Sequence, residues 1–444
     1  MEVVPDKKQL YADPVLSRIL DQGVLVATTD YSSTSYFIYR GEPMGYQYEL
    51  LKEFADFLGV RLEVRISNDL EQSFACLNNF DCDLIAIGLT VTGERQKNVN
   101  FTLPLGETRQ VLVQRRHNEN GEFIDSPLEL AGKTVHVPER SAYVERLNNL
   151  SQEIGAPVEV ITHSGTSVEE LIRAVARGEI EFTVADEHIA KVNRRYYPEI
   201  DISVAVSFPQ HIAWAVHKGS GRFLDTLNLW LGSFKKKKQY ALLYNKYFRN
   251  PSSVSIARNE YFSLKGGKIS PYDKIFRKYS SLLDWDWRLI ASLVYQESRF
   301  STEARSWAGA FGLMQLMPNT ARALGVDTTS PPEEQIKAGI VYLNKLDRQL
   351  RDLIPDKEER VKFVLAAYNA GIAHVYDARR LAEKYNRDPS RWDNNVDYFL
   401  LNKSKPQYYN DSVVKYGYCR GEETYNFVAE ILDRYHHYQN MIPE

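Results

Sequence analysis

Cysteine is scarce in this chain: only Cys76, Cys82 and Cys419 occur among 444 residues. Three thiols build neither a disulfide scaffold nor a four-thiolate zinc site. A single Cys76–Cys82 bridge stays open, and it would fit an oxidising compartment. Long apolar runs are missing as well; the longest, near Leu84–Val91, is far short of the roughly 20 residues a spanning helix needs. Nor is there a surplus of positive charge. Lys and Arg total 55 against 58 for Asp and Glu, a net charge of −3 that gives no electrostatic reason to expect a nucleic-acid partner. The first residues, Met-Glu-Val-Val-Pro-Asp-Lys-Lys, have no apolar signal core, which points either to the cytoplasm or to a targeting peptide already removed.

What is present suffices for full-sized cores. Apolar residues make up 43% of the chain and charged residues 25%, too apolar for a disordered chain, and the pattern is too irregular for a coiled coil. At roughly 100–200 residues per domain, the length predicts two to four folding units.

From Gly23 the chain alternates short apolar runs with helical spacing. Val24–Thr28 reads as a strand, Tyr48–Leu58 as a helix with Leu50, Leu51, Phe54 and Leu58 on one face, Arg61–Ile66 as a strand, and Leu84–Ile87 as a buried strand. A similar order recurs in Lys133–Val137, a helix from Ser141, Val158–Ile161 and a Val168–Arg177 helix closing at Gly178. This is the signature of parallel α/β sheets, here in two lobes, with Gln110–Gln114 and Ile212–Val216 as expected crossings between them. The run Lys235–Lys238 reads first as a solvated helix face and second as a contact for an anionic surface. A stretch with Asn-Pro-Ser-Ser, Gly266–Gly267 and Pro271 reads as a linker, after which helical patterns dominate. The expected domains are therefore 1–250, a linker at 251–271, and 272–444.

In the helical half, Ile290, Leu293, Val294 and Glu297 fall at i, i+3, i+4 and i+7, so the Glu297 carboxylate continues an apolar stripe and faces inward. Most helix glutamates stay in water. Burial raises a carboxyl pKa toward what a general acid needs near neutral pH, which makes Glu297 a candidate acid. The stretch Ala308-Gly-Ala-Phe-Gly-Leu-Met-Gln-Leu-Met-Pro318 reads either as an apolar loop under the helix, with Met314 and Met317 filling gaps, or as a cleft wall in which Gln315 bonds a polar substrate. Val361, Val364, Leu365 and Tyr368 repeat the stripe before Asn369 and a C-cap at Gly371. Tyr368 suits either a satisfied core position or stacking on a sugar.

Glu297-Ser298-Arg299-Phe300, Gly309 to Pro318, Ala367-Tyr-Asn-Ala-Gly371, and Glu423-Thr424 followed by Val428 resemble, in order and spacing, the four motifs of the soluble-type lytic transglycosylases of the lysozyme-like superfamily. The resemblance covers roughly Tyr272 to Tyr438. It implies a mostly α-helical lysozyme-like fold, Glu297 as catalytic acid/base, and Ser306, Gln315, Met317, Tyr368, Asn369 and Glu423 in substrate binding. One departure is Phe427, where that pattern usually has Tyr. An ordinary glycosidase uses two carboxylates, yet no second acid falls within the Glu297 or Gly309–Pro318 motifs. One acid would then do two jobs: protonate the glycosidic oxygen, then take the proton of the C6 hydroxyl as it closes a 1,6-anhydro ring. Glu423 is a second carboxylate whose place in space the sequence leaves open, so hydrolysis stays open too.

In the first half, the strand beginning at Asp83 leads through Gly88-Leu-Thr-x-Thr-x-x-Arg95. A planar guanidinium bonds carboxylate oxygens in pairs, so Arg95 is a carboxylate clamp or else a plain surface Arg. The motif with the two-lobe layout resembles the amino-acid-binding periplasmic solute receptors, over roughly Val24 to Phe248. That resemblance implies a two-lobed α/β fold in which Thr90, Arg95 and Asp186 hold a ligand's carboxylate and ammonium. Pro138-Glu-Arg-Ser141 departs from the glycine-rich turn common there. Together the halves resemble lytic transglycosylases with a receptor-like module ahead of the catalytic domain. This implies peptidoglycan glycan strands as substrate, a muropeptide or stem peptide at the first domain, peripheral association with the periplasmic side of an outer membrane, no cofactor and no metal.

Overall fold

The computed structural model describes residues 14–116, 123–250, 263 and 267–442. Over these the chain divides into two compact units, 1–39 with 43–266, and 40–42 with 267–444. Most of the expected linker, 251–262 and 264–266, lies outside the described residues.

The first unit has two lobes. One sheet runs in the order Arg61–Ile66, Val24–Thr29, Leu84–Thr90, Gln210–His217, Val99–Phe101, with Gly106–Thr108 also paired to Gln210–His217. Its first three strands are parallel and Gln210–His217 runs against them. The second sheet has the order Glu159–His163, Thr134–Pro138, Thr183–Asp186, Gln110–Arg115, Ile200–Asp201. Parallel strands need crossover helices, and the helical spacing supplies them: Tyr46–Leu58 buries Leu50, Leu51 and Phe54. The Val168–Arg177 helix starts with a reciprocal Ser167/Glu170 capping box and ends at Gly178 with φ 75°.

Two details differ from the sequence reading. Gln110–Arg115 and Gln210–His217 are strands inside the lobes, and the chain crosses just before each, at Arg109 and at 207–209. A β run is apolar because it is buried in a sheet, so it marks the strand and not the crossing. The lysine run is not a helix face: Lys235–Lys237 is an exposed turn between helices Gly221–Phe234 and Lys238–Tyr244. Four adjacent ammonium groups repel one another, and a turn lets them diverge into water. Cys76, Cys82 and Cys419 are all free thiols.

From 267 onward the second unit is mostly helical, with isolated bridges at Arg305, Phe311 and Leu316. Helix Trp287–Ser298 begins where the Asp286 side chain accepts the Arg288 N–H, and buries Leu289, Ile290, Leu293 and Val294. Helix Lys357–Ala370 begins with Asp356 accepting the N–H groups of Glu358 and Glu359. It ends at Gly371, whose φ of 89° favours glycine. Helix Gly421–Met441 packs against both, burying Val428 and Ile431. At roughly 1.5–3 kcal/mol per large apolar side chain buried, this three-helix core fixes the end of the Trp287–Ser298 helix in space.

Candidate active site

Polar side chains tie the Gly309–Pro318 loop to the helices around it. Ser298 Oγ donates to the carbonyls of Val294 (3.1 Å) and Leu313 (2.9 Å), pinning the Gly309–Pro318 loop to the helix end. Gln335 Oε1 accepts the Leu313 N–H at 2.9 Å, and its Nε2 donates to Ser330 O. Gly312 sits above that amide with φ 74°, and a Cβ there would meet Gln335 Oε1 at 2.1 Å. Tyr368 Oη donates to Met314 O at 2.6 Å and its ring lies 5.5 Å from that of Tyr342. Buried Met314 packs against Gly339, where a Cβ would meet its Cε at 2.4 Å.

Glu297 itself is half-buried and takes no hydrogen bond. Loss of hydration alone pushes its carboxyl up from 4.5 to about 8, so it holds a proton at neutral pH. Tyr368 lies close enough to feel that charge: burial first, then Glu297, raises its phenol well above the ordinary value. Asn369, next along the helix, accepts the Thr424 hydroxyl at 2.7 Å, which joins the Tyr368 end of one helix to the start of the Gly421–Met441 helix. Glu423 is exposed beside that joint, and Phe427 is buried.

The remaining expected residues divide. Ser306 accepts the Ala310 N–H at 3.0 Å and so shapes the loop. Gln315 has φ 45°, and its Nε2 is committed to the carbonyls of Ala304 and Gly312 at 3.0 and 2.9 Å. That nitrogen braces the loop. Met317 is 47% exposed, which removes the gap-filling reading. Gln335 was not singled out from sequence; the signal was a lone amide beside Ile336 and Gly339 on an inward face.

In the first unit, Thr90, Arg95 and Asp186 line one cavity with Asp30, Tyr143 and Glu169. Arg95 Nη1 donates to Thr90 O at 3.0 Å, and the Asp186 N–H donates to Tyr143 Oη at 3.3 Å. Burial pushes the Asp186 carboxyl up to about 7, against the pull of Tyr143 and Arg95. Asp30 and Glu169 were missed; the available signal was position, since Asp30 directly follows the Val24–Thr29 strand, and open α/β sheets place ligand groups at carboxyl ends of strands.

Two family models match the chain: the Transglycosylase SLT domain over residues 274–390, and the bacterial extracellular solute-binding proteins, family 3, over residues 24–250. A membrane-bound lytic murein transglycosylase F from Desulfosudis oleivorans is 36% identical over 95% of this chain and 91% of its own length. The chain belongs to the membrane-bound lytic murein transglycosylase F family. A second member, from Photobacterium profundum, is 33% identical over 96% of this chain and 81% of its own length. Among solved structures, an ancestral arginine-binding protein bound to arginine is 25% identical over 51% of this chain and 98% of its own, with a TM-score of 0.45. As a lytic murein transglycosylase the protein acts on peptidoglycan. Its fold is a solute-binding-type α/β domain followed by a mostly helical transglycosylase domain. Glu423 and Phe427 lie beyond the matched part of the SLT model. No helix among the described residues of this family member is long and apolar enough to cross a membrane.

Proposed function

We propose that Glu297 alone supplies the acid and the base for cleavage of the MurNAc–GlcNAc β-1,4 bond, leaving 1,6-anhydromuramyl ends. The observation that carries this reading is a carboxyl pushed up to about 8 with no hydrogen-bonding partner of its own. It gives its proton to the glycosidic oxygen as that bond to C1 breaks, while the sugar's 2-acetamido group helps carry the cationic charge. The resulting carboxylate takes the proton of the C6 hydroxyl as its oxygen bonds C1. One proton leaves and one returns, so Glu297 ends as it began and no water is consumed. Tyr368, close enough to that carboxyl to feel its charge, and Asn369, next to Tyr368 along the chain, with Ser306, Gln315, Met317 and Glu423, form the glycan-binding surface. Ser306 and Gln315 act by holding the loop, and exposed Met317 and Glu423 by contact. Digestion of purified sacculi followed by mass spectrometry tests the chemistry. Anhydro products are expected; reducing-end products alone, each heavier by one water, would show a hydrolase.

The first domain, at 1–250, holds a ligand's carboxylate at Arg95 and Thr90 and its ammonium at Asp186. A muropeptide or stem peptide with a free amino-acid end presents both groups, and lobe closure upon it would adjust cleavage by the domain at 272–444. We place the protein in the periplasm, peripherally at the outer membrane, in keeping with the membrane-bound names of its relatives. Calorimetry with wall fragments and the Arg95→Ala variant, beside cleavage rates with and without the fragment, tests the coupling. Binding with unchanged cleavage would leave only a tether.

A further inference from the structure

A second cavity in the first unit, of about 450 Å³, shares no lining residue with the one at Arg95 and Asp186. That volume falls within the range of roughly 300–1,000 Å³ typical of small-molecule sites. Its charged lining is mainly basic: Lys191, Arg194, Arg195 and Arg249 against Glu107 and Glu187. The carboxylates are already engaged. Glu187 Oε1 accepts from Arg109 at 3.0 Å and lies 2.9 Å from Lys191 Nζ, and Glu107 Oε1 lies 3.3 Å from His211 Nδ1. Among the described residues the three lining arginines have no carboxylate partner. Arg195 donates to the carbonyls of Phe248 and Asn250 at 3.0 and 3.4 Å, which leaves its charge unneutralised. Arg249 lies over the Tyr244 ring, 5.7 Å from its centroid, and Arg194 is exposed.

The lining comes from both lobes. Glu107 and Thr108 belong to strand Gly106–Thr108 of the first sheet, whereas Glu187 to Arg195 lie on helix Glu187–Tyr196, which follows strand Thr183–Asp186 of the second. His188 Nδ1, 3.0 Å from Thr108 Oγ1, ties the two together. Burial pushes the His188 imidazole down to about 4, so near neutral pH it adds no charge of its own. Tyr244 and Phe248, with ring centroids 4.7 Å apart, supply an apolar wall. The four cations repel one another, and the two carboxylates offset only half of their charge. A phosphate monoester carries about −1.5 to −2 at pH 7, which balances the rest, and its oxygens match the two-pronged donation of a guanidinium.

We propose that this cavity binds a soluble organic phosphate monoester, whose phosphate pairs with Arg194, Arg195 and Arg249 and whose body lies against Tyr244 and Phe248. Inorganic phosphate, with five heavy atoms at about 10–15 Å³ for each water-sized occupant, would fill only a small part of about 450 Å³. A concave site of this size encloses a small molecule, whereas a membrane presents a face. The ligand touches residues of both lobes, so it favours the arrangement in which they face one cavity. Neither Arg95 nor Glu297 takes part.

Titration calorimetry on the full chain compares adenosine monophosphate and N-acetylglucosamine 1-phosphate, two esters with different bodies, with adenosine, inorganic phosphate and phosphatidylglycerol vesicles. At least one ester is expected to bind about ten-fold more tightly than adenosine and than inorganic phosphate. Arg194→Ala with Arg249→Ala removes no hydrogen bond among the described residues and should weaken that binding about ten-fold or more. Glu107→Gln removes a like charge from the lining and should tighten it by about two- to five-fold, a gain that a misfolded variant cannot give. Absence of binding by both esters, or equal affinity in wild type and both variants, would overturn the proposal. Inorganic phosphate binding as tightly as the esters would overturn the organic body. Binding of the vesicles alone would overturn the soluble ligand in favour of a membrane surface.

Discussion

Glu297→Gln removes the group assigned to proton transfer, and it should make the helical unit more stable at neutral pH. The carboxyl titrates at 4.5 when freely hydrated and at about 8 in the fold. Below pH 4.5 it is neutral folded and unfolded, and burial carries no ionisation cost. As pH rises toward 8, the unfolded chain releases a proton that the folded chain keeps, so wild-type stability falls by about 1.4 kcal/mol per pH unit. At pH 7 the loss is about 3 kcal/mol, and above pH 8 it levels near 5 kcal/mol. Glutamine is neutral throughout, so the advantage of the variant should grow with pH over this window. Any fixed cost of burying an amide shifts the whole curve and leaves its slope alone.

Scanning calorimetry on the whole chain, following the transition that responds to the substitution, reads this directly. For a unit of this size 1 kcal/mol moves the midpoint by about 2–4 °C, so the gap between variant and wild type should widen by about 6–12 °C from pH 4.5 to pH 7. A gap independent of pH would mean that the folded carboxyl ionises normally, and the proton-donor argument would fail with it. Sacculus cleavage by the variant should be abolished across the same range.

The same carboxyl predicts that wild-type kcat/KM on sacculi declines above about pH 8 as the donor proton is lost; a profile flat to pH 9.5 would contradict it. Gly312→Ala forces a side chain onto φ 74° and against Gln335 Oε1, and should lower stability by at least about 1–3 kcal/mol on denaturant unfolding. Lys403→Met removes one of two cations on the buried Asp377 carboxylate, leaving Arg380, and should cost about 1.5–3 kcal/mol, whereas Lys403→Met with Asp377→Asn should recover part of it. A wall fragment whose ammonium pairs with Asp186 should expel a proton from it on binding at pH 6, since that carboxyl titrates near 7, and few at pH 8.5; calorimetry in buffers of differing ionisation heat measures this.

The two-lobe architecture was legible because buried parallel strands read as apolar runs and amphipathic helices as 3.6-residue stripes. Both patterns are local. Crossings at Arg109 and 207–209 were displaced because no local pattern distinguishes a strand's end from the chain passing between sheets. Glu297 stood out as a polar residue on an apolar stripe. Gln335 and Asp30 did not, since each gains its meaning from groups far away in sequence: Leu313 N–H for one, and the lining of a cavity shared with Asp186 for the other. Gln315 looked like a free amide because its partners Ala304 O and Gly312 O are backbone atoms, to which composition is blind.

The helical unit contains several inward carboxyls, and their surroundings separate the acid from the struts. Asp377 is fully buried, and burial alone would raise its pKa. Lys403 Nζ at 2.6 Å and the N–H groups of Lys415 and Tyr416 outweigh that and hold it below the usual carboxylate range. A carboxylate so held has no proton to give. Asp273 is raised by burial, but accepts Ile269 N, Ser270 N and Ser270 Oγ, so its oxygens are spent on a turn. Asp397 is also raised by burial and accepts the Tyr398 N–H. Glu297 has the raised pKa without the bonds. Proton transfer needs both: a proton retained near pH 7, and oxygens free to meet a substrate hydroxyl after it leaves. Ser298 and Tyr368 spend their own hydroxyl hydrogens on backbone carbonyls, so neither donates to Glu297, and its pKa stays raised by burial.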